Sequence, residues 1–377
     1  MSGLDVTSAG FEPDELERAR RYHGPLYVAL AVETALSAGL LVALAFTRLG
    51  SWLFAPVRDA PWWGAALGYA GLVVCFSTAV RQPFGFWRGF VRERRWGFST
   101  QRVGGWVVDR AKGLLVGVVL LGVLELGLVG LARAFPHGWV IPAAGAFALA
   151  VVLLSYVAPV VLEPLFNRFR PLEEGELASS LRDLAARARV RVRHLLVADA
   201  SRRTRKVNAY VSGLGRTTRV VLFDTLLERS ASPEVELVVA HELGHRLERH
   251  VLKGTLLGAI GAVVATVAVW VALGEDAADP RKLPVVLLVG LGLELAALAP
   301  GSWLSRRWER VADGWSLELT GELGAFERAH RELARANLSD LDPPRAAYAL
   351  LFSHPTPPER IAAGRAWAAA RSAMSVH

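Results

Sequence analysis

The stretch LLVGVVLLGVLELGLVGLA, residues 114–132, contains a single charged side chain, Glu125. About 20 consecutive apolar residues allow a helix to cross the hydrocarbon core of a membrane. Similar blocks recur along the chain, and the full set covers roughly residues 24–46, 62–80, 113–133, 138–162, 255–273 and 283–303. A soluble protein with buried helices is the alternative, but helices of this length are rare in soluble cores. The sequence therefore predicts a mainly α-helical membrane protein with about six spans.

The composition and the charge distribution agree with a membrane protein. Hydrophobic residues make up 53% of the 377 residues, and the mean hydropathy is +0.32. The net charge is +8, and a cluster of basic residues lies between the second and third spans, in residues 81–112. Because cytoplasmic loops are enriched in Lys and Arg, we expect this loop to face the cytoplasm. Alternating spans then place the N-terminus and residues 163–253 and 304–377 on the same side. The orientation of the basic loops in a lipid bilayer accounts for the positive net charge, so no nucleic-acid partner is expected.

The spans divide the chain into five segments. We predict an amphipathic N-terminal segment over 1–23, four spans over 24–162, a small cytoplasm-facing α+β segment over 163–254, two spans over 255–303 and a helical segment over 304–377. Within the α+β segment, short runs of apolar and β-branched residues between turn residues predict strands at 194–199, 208–212 and 219–223. A longer helix is predicted to run from residue 232 towards 253.

The most informative motif is VVAHELGHRLERH, residues 238–250. Residues four apart lie on the same face of a helix, so His241 and His245 can direct two imidazoles at one metal ion. Two histidines at this spacing suit tetrahedral zinc, and Glu242 beside them suits a general base that takes a proton from metal-activated water. The motif also arises by chance, so the assignment needs a third ligand elsewhere in the chain.

A candidate third ligand lies beyond the last two spans, in SRRWERVAD, residues 305–313. Glu309 and Asp313 are one helical turn apart on the same face. This spacing suits a metal-binding carboxylate followed by a carboxylate that orients a ligand histidine. A solvated face of ion pairs with the neighbouring arginines is the alternative interpretation. The predicted topology favours the metal site, because both helices emerge on the same side of the membrane.

These motifs, in this order, resemble the type I CAAX prenyl endopeptidases, which are integral-membrane zinc proteases. The similar stretches are FEPDELERARRY (11–22), FVRERRWGFSTQ (90–101), APVVLEPLFNRFRPLEEGEL (158–177), VNAYVSGLGRTTRVVLFDTLLE (207–228), the HELGH motif, SRRWERVAD (305–313) and SHPTPPERI (353–361). The resemblance extends over nearly the whole chain. The resemblance implies one zinc ion per chain, held by His241, His245 and Glu309, with Asp313 next to the ligands. The first span of longer eukaryotic members has no counterpart here, so six spans are expected rather than seven.

The resemblance also implies roles for residues outside the zinc motif. Asn208 and Tyr210 match the family's asparagine-alanine-tyrosine strand, whose edge binds the substrate backbone, and an exposed strand edge can pair with an extended peptide. His354 matches a histidine that donates to the oxyanion of the scissile carbonyl. Arg360 matches its companion arginine, and we expect it in the substrate site. His250 recurs in the family pattern, and we expect it to support the metal ligands.

Glu33, Glu125 and Glu294 lie inside three different predicted spans. Ionisable side chains at membrane depth usually face the interior of the helix bundle or water. These glutamates are candidates for lining the hydrated chamber that the resemblance implies. Local pairing near the end of a span is the alternative interpretation.

Taken together, the motifs favour a membrane-embedded zinc metalloendopeptidase that hydrolyses peptide bonds of a peptide or protein. The family substrate is a prenylated C-terminal CAAX sequence, from which the last three residues are removed. The composition, rich in Arg, Ala and Val, indicates a prokaryotic cell membrane, where prenylated proteins can be absent. A general quality-control membrane protease with the same zinc site is the first alternative. A non-catalytic zinc-binding membrane protein is the second, and the intact Glu242 argues against it.

Overall fold

The computed structural model describes residues 6–213 and 218–374. Helices dominate these residues, and a small sheet lies, in sequence, between the fourth and fifth long apolar helices. The α-helices are α1 (Pro13–Phe46), α2 (Arg48–Phe54), α3 (Trp62–Phe86), α4 (Glu93–Arg95), α5 (Val103–Ala134), α6 (Val140–Val157), α7 (Glu163–Phe166), α8 (Glu176–Arg187), α9 (Asp224–Leu227), α10 (Ser232–Leu247), α11 (His250–Leu273), α12 (Leu283–Thr320), α13 (Leu323–Asn337), α14 (Arg345–Leu351) and α15 (Pro357–Met374). The strands are β1 (Phe169–Pro171), β2 (His194–Ala198), β3 (Ala209–Ser212) and β4 (Arg219–Phe223).

Six helical segments of the described chain are long and apolar enough to cross a membrane: Pro13–Phe46, Trp62–Arg95, Val103–Ala134, Val140–Phe166, His250–Ala278 and Pro280–Thr320. The predicted fold class, a six-span helical membrane protein with a small α+β part, is confirmed. The helices extend beyond the apolar blocks that predict them. α12 continues from the sixth span through Glu309, so the first part of the helical segment expected over 304–377 and the span form one continuous helix. α1 begins at Pro13 with a capping box between Glu12 and Glu15, so much of the expected amphipathic segment 1–23 belongs to the first spanning helix.

The sheet has the strand order β1-β2-β4-β3, with β2 and β4 parallel and antiparallel strands at both edges. The structure places strands at all three predicted positions. β1 is not predicted by the sequence, because it has three residues and ends in Pro171. A proline is tolerated there since β1 is an edge strand. At the opposite edge, β3 pairs with β4 on one side, and its other side faces residues outside the sheet.

The helices α8 and α10 pack against the sheet and fix the position of the HELGH motif. Leu181 and Leu184 of α8, Val239 and Leu243 of α10 and Leu222 of β4 are almost completely buried in one core. Burial of a side chain of this size stabilises the fold by about 1.5–3 kcal/mol. This core holds α10 beside β3, so the charged face of α10 lies close to the free edge of the strand.

The helices α10 and α12 are in close contact at Gly244. A Cβ atom built on Gly244 would lie 2.9 Å from Cβ of Trp315 and 3.1 Å from Cα of Ala312. A larger side chain therefore cannot fit unless the two helices separate. The same contact places the motif histidines of α10 opposite the acidic residues of α12.

A cavity of about 630 Å³ lies among the spanning helices and is lined mainly by aliphatic side chains. Glu125 and Glu294 line this cavity together with Arg81. Glu33 instead contacts Arg88, with 3.3 Å between Oε2 and Nη1. Two of the three intramembrane glutamates thus face a cavity inside the bundle, as expected for ionisable groups at membrane depth.

Replacing Gly244 with Ala is expected to force α10 away from α12 and to lower the melting temperature of the detergent-purified protein. Overpacking a tight core costs about 1–3 kcal/mol, which corresponds to a fall of several degrees. Differential scanning fluorimetry measures the change. Gly314→Ala on α12 is the matched control, because no described atom lies within 4 Å of a Cβ built there. An unchanged melt for Gly244→Ala would contradict the tight contact.

Candidate metal centre and active site

Two histidines of α10 and one glutamate of α12 converge on one point. The helix α10 starts at Ser232 with a proline and an acidic residue in its first turn, both favourable there. The Nε2 atoms of His241 and His245 lie 3.2 Å apart. Glu309 reaches both rings, with Oε2 at 3.3 Å from Nε2 of His241 and Oε1 at 3.2 Å from Nε2 of His245. One ligand atom from each of the three residues can be chosen so that all lie within 4.8 Å of one another.

The donor set of this trio fits a metal cation. Two imidazole nitrogens and a carboxylate face one another. Each neutral imidazole carries only one N–H, so the two rings cannot place a hydrogen in every one of these short contacts. Glu309 is 5% exposed, and its Oε2 has no donor of suitable hydrogen-bond geometry among the described residues. A buried carboxylate without such compensation is costly. A cation held by His241, His245 and Glu309 would supply the missing partner.

Asp313 and Arg360 lie behind His241. Oδ1 of Asp313 is 2.9 Å from Nδ1 of His241. Arg360, on α15, donates to both oxygens of Asp313, from Nε at 2.8 Å and from Nη2. The carboxylate favours the tautomer of His241 that carries its proton on Nδ1, which leaves the Nε2 lone pair for a metal. Burial disfavours protonation of His241, but the adjacent carboxylates of Asp313 and Glu309 outweigh burial and raise its pKa to about 9. This raised pKa reflects negative charge that a bound cation would also neutralise.

His250 contacts the second histidine of the motif. Its Nδ1 lies 2.9 Å from Nδ1 of His245. The buried ring of His250 stacks on Trp308, with 4.7 Å between ring centroids and 10° between planes. For Nε2 of His245 to keep its lone pair for a metal, Nδ1 of His245 must donate its hydrogen to Nδ1 of His250.

Glu242 lies between the histidines and the edge of β3. Its Oε2 accepts a hydrogen bond from the backbone N–H of Val211 at 3.2 Å. Burial raises the pKa of Glu242, while His241, His245 and the Val211 N–H oppose the rise. A carboxylate with a raised pKa is suited to accept and return a proton. The arrangement can therefore activate water beside a metal ion.

A cleft of about 740 Å³ opens beside the candidate metal centre, and Asn208, His354 and Arg360 line it. Nε2 of His354 lies 3.4 Å from Oε1 of Glu309, and its Nδ1 lies 2.7 Å from Oγ of Ser353. The side chain of His354 is 59% exposed, so a molecule in the cleft can reach it. Asn208 is exposed as well. The cleft thus brings together Asn208, which precedes β3, and His354, which precedes α15.

Two residues expected in the substrate site have other partners. Tyr210 donates its hydroxyl hydrogen to Oε2 of Glu163 at 3.0 Å, and its ring contacts Phe223. Arg360 lines the cleft, but its guanidinium group is bound to Asp313. Substrate binding by Tyr210 and Arg360 stays a prediction.

Val211 and His330 belong to the site, although no sequence pattern indicates either of them. Val211 contributes a backbone N–H, so its side-chain type carries no signal. His330 of α13 is buried, with Nε2 3.9 Å from Oδ1 of Asp313, and burial lowers its pKa well below the usual value. A lone histidine on a buried helix face gives no sequence signal, and the packing of α13 alone brings it to Asp313.

Comparisons with known proteins identify the family. The sequence model described as "Peptidase family M48" matches residues 171–368. The model described as "CAAX prenyl protease N-terminal, five membrane helices" matches residues 6–168. Four of the six span-length helices lie within the second range. The two matches together cover most of the chain and confirm the resemblance that the motifs indicate.

Individual relatives and a solved structure agree with the family models. The uncharacterized metalloprotease YhfN of Bacillus subtilis is 26% identical over 96% of this chain and 88% of its own length. CAAX prenyl protease 1 of Saccharomyces cerevisiae is 28% identical over 79% of this chain and 71% of its own length. The crystal structure of S. mikatae Ste24p matches with a TM-score of 0.80 at 25% identity, covering 94% of this chain and 89% of that one. Since the M48 model matches more than half of the sequence, the chain belongs to peptidase family M48 and is a membrane metalloprotease of the CAAX prenyl protease group.

Proposed function

We propose that the protein is a zinc-dependent endopeptidase in which His241, His245 and Glu309 hold the metal and Glu242 is the general base. The observation that supports this most strongly is the convergence of three ligand atoms within 4.8 Å, from two helices far apart in sequence. Zinc is the proposed metal, because catalytic zinc sites commonly combine two histidines and one carboxylate with an open fourth position.

The mechanism proposed for this site is hydrolysis by an activated water. When bound, zinc supplies Lewis acidity, which polarises a carbonyl group and lowers the pKa of water to about 7. Glu242 takes the proton of the attacking water and delivers it to the nitrogen of the leaving amine. The hydrogen bond from Val211 fixes Oε2 of Glu242, so Oε1 is the oxygen available for the proton. The free edge of β3 holds the substrate backbone extended beside this carboxylate.

Other residues stabilise developing charge or orient the ligands. His354 presents an accessible Nε2 next to Glu309, and in this proposal it donates a hydrogen bond to the scissile carbonyl oxygen as negative charge develops there. Asp313, held by Arg360, keeps the proton of His241 on Nδ1. His250 orients His245 through the contact between their Nδ1 atoms. Asn208, exposed in the cleft, binds the substrate backbone.

The proposed substrate is a peptide or protein that ends in a CAAX sequence. This proposal follows the names of the relatives, several of which are CAAX prenyl proteases. The apolar cavity among the spanning helices provides space for an alkyl chain, which supports a prenylated substrate. The basic loop over 81–112 supports a cytoplasmic position for the catalytic segment. We place the protein in a prokaryotic cell membrane.

Glu242→Gln is expected to abolish peptide hydrolysis while zinc remains bound, because glutamine cannot accept the proton. General acid–base catalysis contributes about 10²- to 10⁴-fold, so the rate should fall at least that far. Peptide cleavage and metal content are measured on the same detergent-purified sample. Glu236→Gln, on the same helix but outside the motif, is the matched control. A rate equal to wild type for Glu242→Gln would favour a protein that binds zinc without using this glutamate in catalysis.

Glu309→Ala is expected to lower the zinc content well below one ion per chain, because only two protein ligands remain. The loss of zinc affinity should exceed the roughly 10- to 100-fold loss that follows removal of a residue hydrogen-bonded to a metal ligand. Mass spectrometry of the metal against protein concentration gives the ratio. Glu318→Ala, at an exposed position of the same helix, should keep its zinc. Full occupancy in Glu309→Ala would exclude Glu309 as the third ligand.

Matched farnesylated and unprenylated CAAX peptides test the substrate. We expect the wild-type protein to cut the farnesylated peptide faster, because the apolar chain can bind among the spans, and Glu242→Ala to cut neither. Mass spectrometry of the products gives the rate and the position of cleavage. Equal cleavage of both peptides would instead favour a general membrane protease that uses the same zinc site.

A further inference from the structure

The segment between α8 and β2 carries an arginine at every second position. Its sequence, RARVRVRH over residues 187–194, contains no acidic residue and has an arginine row formed by Arg187, Arg189, Arg191 and Arg193. Successive side chains of extended backbone point to opposite sides. Val190 and Val192 pack against the core between α8 and the sheet, whereas the arginines beside them are exposed. The alternation therefore directs a row of guanidinium groups away from the core.

The arginine row has no partner in the described part of the chain. All four side chains are exposed, and none forms an ion pair or a side-chain hydrogen bond within residues 6–213 and 218–374. Arg182 on α8, in contrast, is paired with Glu174. A guanidinium group can bind a phosphate group through two parallel hydrogen bonds, so an unpaired row of arginines suits a partner that carries phosphate.

Arg189 has a left-handed backbone conformation, with φ of 53°. Its N–H donates to the C=O of Ala186 at 2.9 Å, and the N–H of Val190 donates to the C=O of Ala185 at 2.9 Å. These two bonds end α8 in a Schellman motif, where glycine is preferred because a Cβ atom is unfavourable at positive φ. The chain thus has an arginine where the local backbone favours glycine. Such a conflict points to a role of the side chain outside folding.

Contacts of the sheet place the arginine row beside the end of the fourth span. His194, which directly follows the row, pairs with Arg219 in the parallel strands β2 and β4. Arg219 donates to the C=O of Pro159 and to Oε2 of Glu163, the latter at 2.8 Å. Both residues belong to the last turns of the span-length segment Val140–Phe166. This end of β2 is therefore held against the membrane part of the molecule.

The same end of the fourth span presents apolar side chains outwards. Val160 and Val161, next to Pro159, are 53% and 52% exposed. In a bilayer, exposed apolar side chains of a span contact lipid, and basic side chains collect where the apolar surface ends. The arginine row follows this pattern, because exposed valines and unpaired arginines lie on neighbouring elements. The row is thus placed at the level of the lipid headgroups.

We propose that the arginine row is a binding surface for anionic phospholipid headgroups, which holds the sheet against the membrane. The inference goes beyond the proposed function and requires no hydrolysis. An anionic membrane surface strengthens the binding of a nearby segment by about fivefold for each basic residue. Zwitterionic headgroups have no net charge and should not compete. Since the sheet packs against α10, the surface also fixes the HELGH helix relative to the bilayer.

The test measures which lipids the full-length protein retains. The protein is reconstituted in nanodiscs with equal amounts of phosphatidylglycerol and phosphatidylcholine, and mass spectrometry gives the ratio of the two lipids that remain bound after exchange into detergent. We expect wild type to retain more phosphatidylglycerol, and added salt to reduce the excess because ions screen exposed charges. In the double variant Arg191→Gln/Arg193→Gln the ratio should fall at least fivefold. The fall should stay below the product for two arginines, about 25-fold, because the basic loop over 81–112 retains some anionic lipid.

Matched variants assign the effect to this surface. Arg18→Gln/Arg229→Gln removes the same charge from exposed arginines without described ion pairs, on α1 and beyond the opposite end of β4, and should keep the wild-type ratio. Arg191→Lys/Arg193→Lys keeps the charge and should retain most of the preference.

Arg189→Gly separates lipid binding from folding. Glycine accepts the left-handed backbone, so the melting temperature of the purified variant should rise. The loss of one guanidinium group should lower the lipid ratio at least twofold. A role of Arg189 in folding alone predicts instead a lower melting temperature and an unchanged ratio.

Four results would overturn the proposal. They are an unchanged lipid ratio in both Arg191→Gln/Arg193→Gln and Arg189→Gly, an equal loss in Arg18→Gln/Arg229→Gln, release of phosphatidylglycerol by 10-fold excess inorganic phosphate at constant ionic strength, and no excess of phosphatidylglycerol on wild type. The third result would assign the arginine row to free phosphate. A protein that retains lipid as expected but cuts no peptide would contradict the proposed function and leave the lipid surface supported.

Discussion

The close contact between α10 and α12 at Gly244 is the constraint on which the candidate metal centre depends. The two histidines and the glutamate that face one another come from helices separated by the fifth span and the loop after it. A few tenths of an ångström of separation at Gly244 would move Glu309 relative to both imidazoles, because there is no space for even a methyl group between the helices. Since α12 is also the sixth span, the centre is attached to the membrane part of the molecule by a continuous helix.

The contact between α10 and α12 also buries two carboxylates, and the surrounding residues compensate their charges unequally. Asp313 is paired with Arg360 and with Nδ1 of His241, whereas Glu309 faces two imidazole nitrogens and has one oxygen without a suitable donor in the described part of the chain. Buried ionic groups contribute little net stability, because desolvation offsets their attraction. The cluster is therefore better explained by cation binding than by a structural role. The arrangement orders the site in layers, with Arg360 holding Asp313, Asp313 contacting His241, and His241 facing the proposed metal position.

The edge of β3 that faces away from β4 connects this centre to the membrane part and to the C-terminal helices. Its backbone groups are bound in turn by the loop before α5, by Asn337 of α13 and by Glu242 of α10. Each of these elements comes from a different region of the sequence, so the edge has this form only when all of them are in place. Substrate selection by such an edge depends on backbone geometry and on the surrounding side chains together.

The sequence by itself determined the features that depend on local patterns. Apolar blocks of sufficient length predicted the six spans, and the four-residue spacing of His241 and His245 predicted that both rings share one helix face. Glu309 and Asp313 could be proposed because they follow the same helical spacing. Tertiary structure alone decided which groups meet across elements. Hydrogen bonds from Val211 and Val207 involve backbone atoms that every residue type shares, so no side-chain pattern signals them. The engagement of Tyr210 by Glu163, and the approach of His330 to Asp313, likewise follow from packing between distant segments, which residue spacing along one chain does not encode.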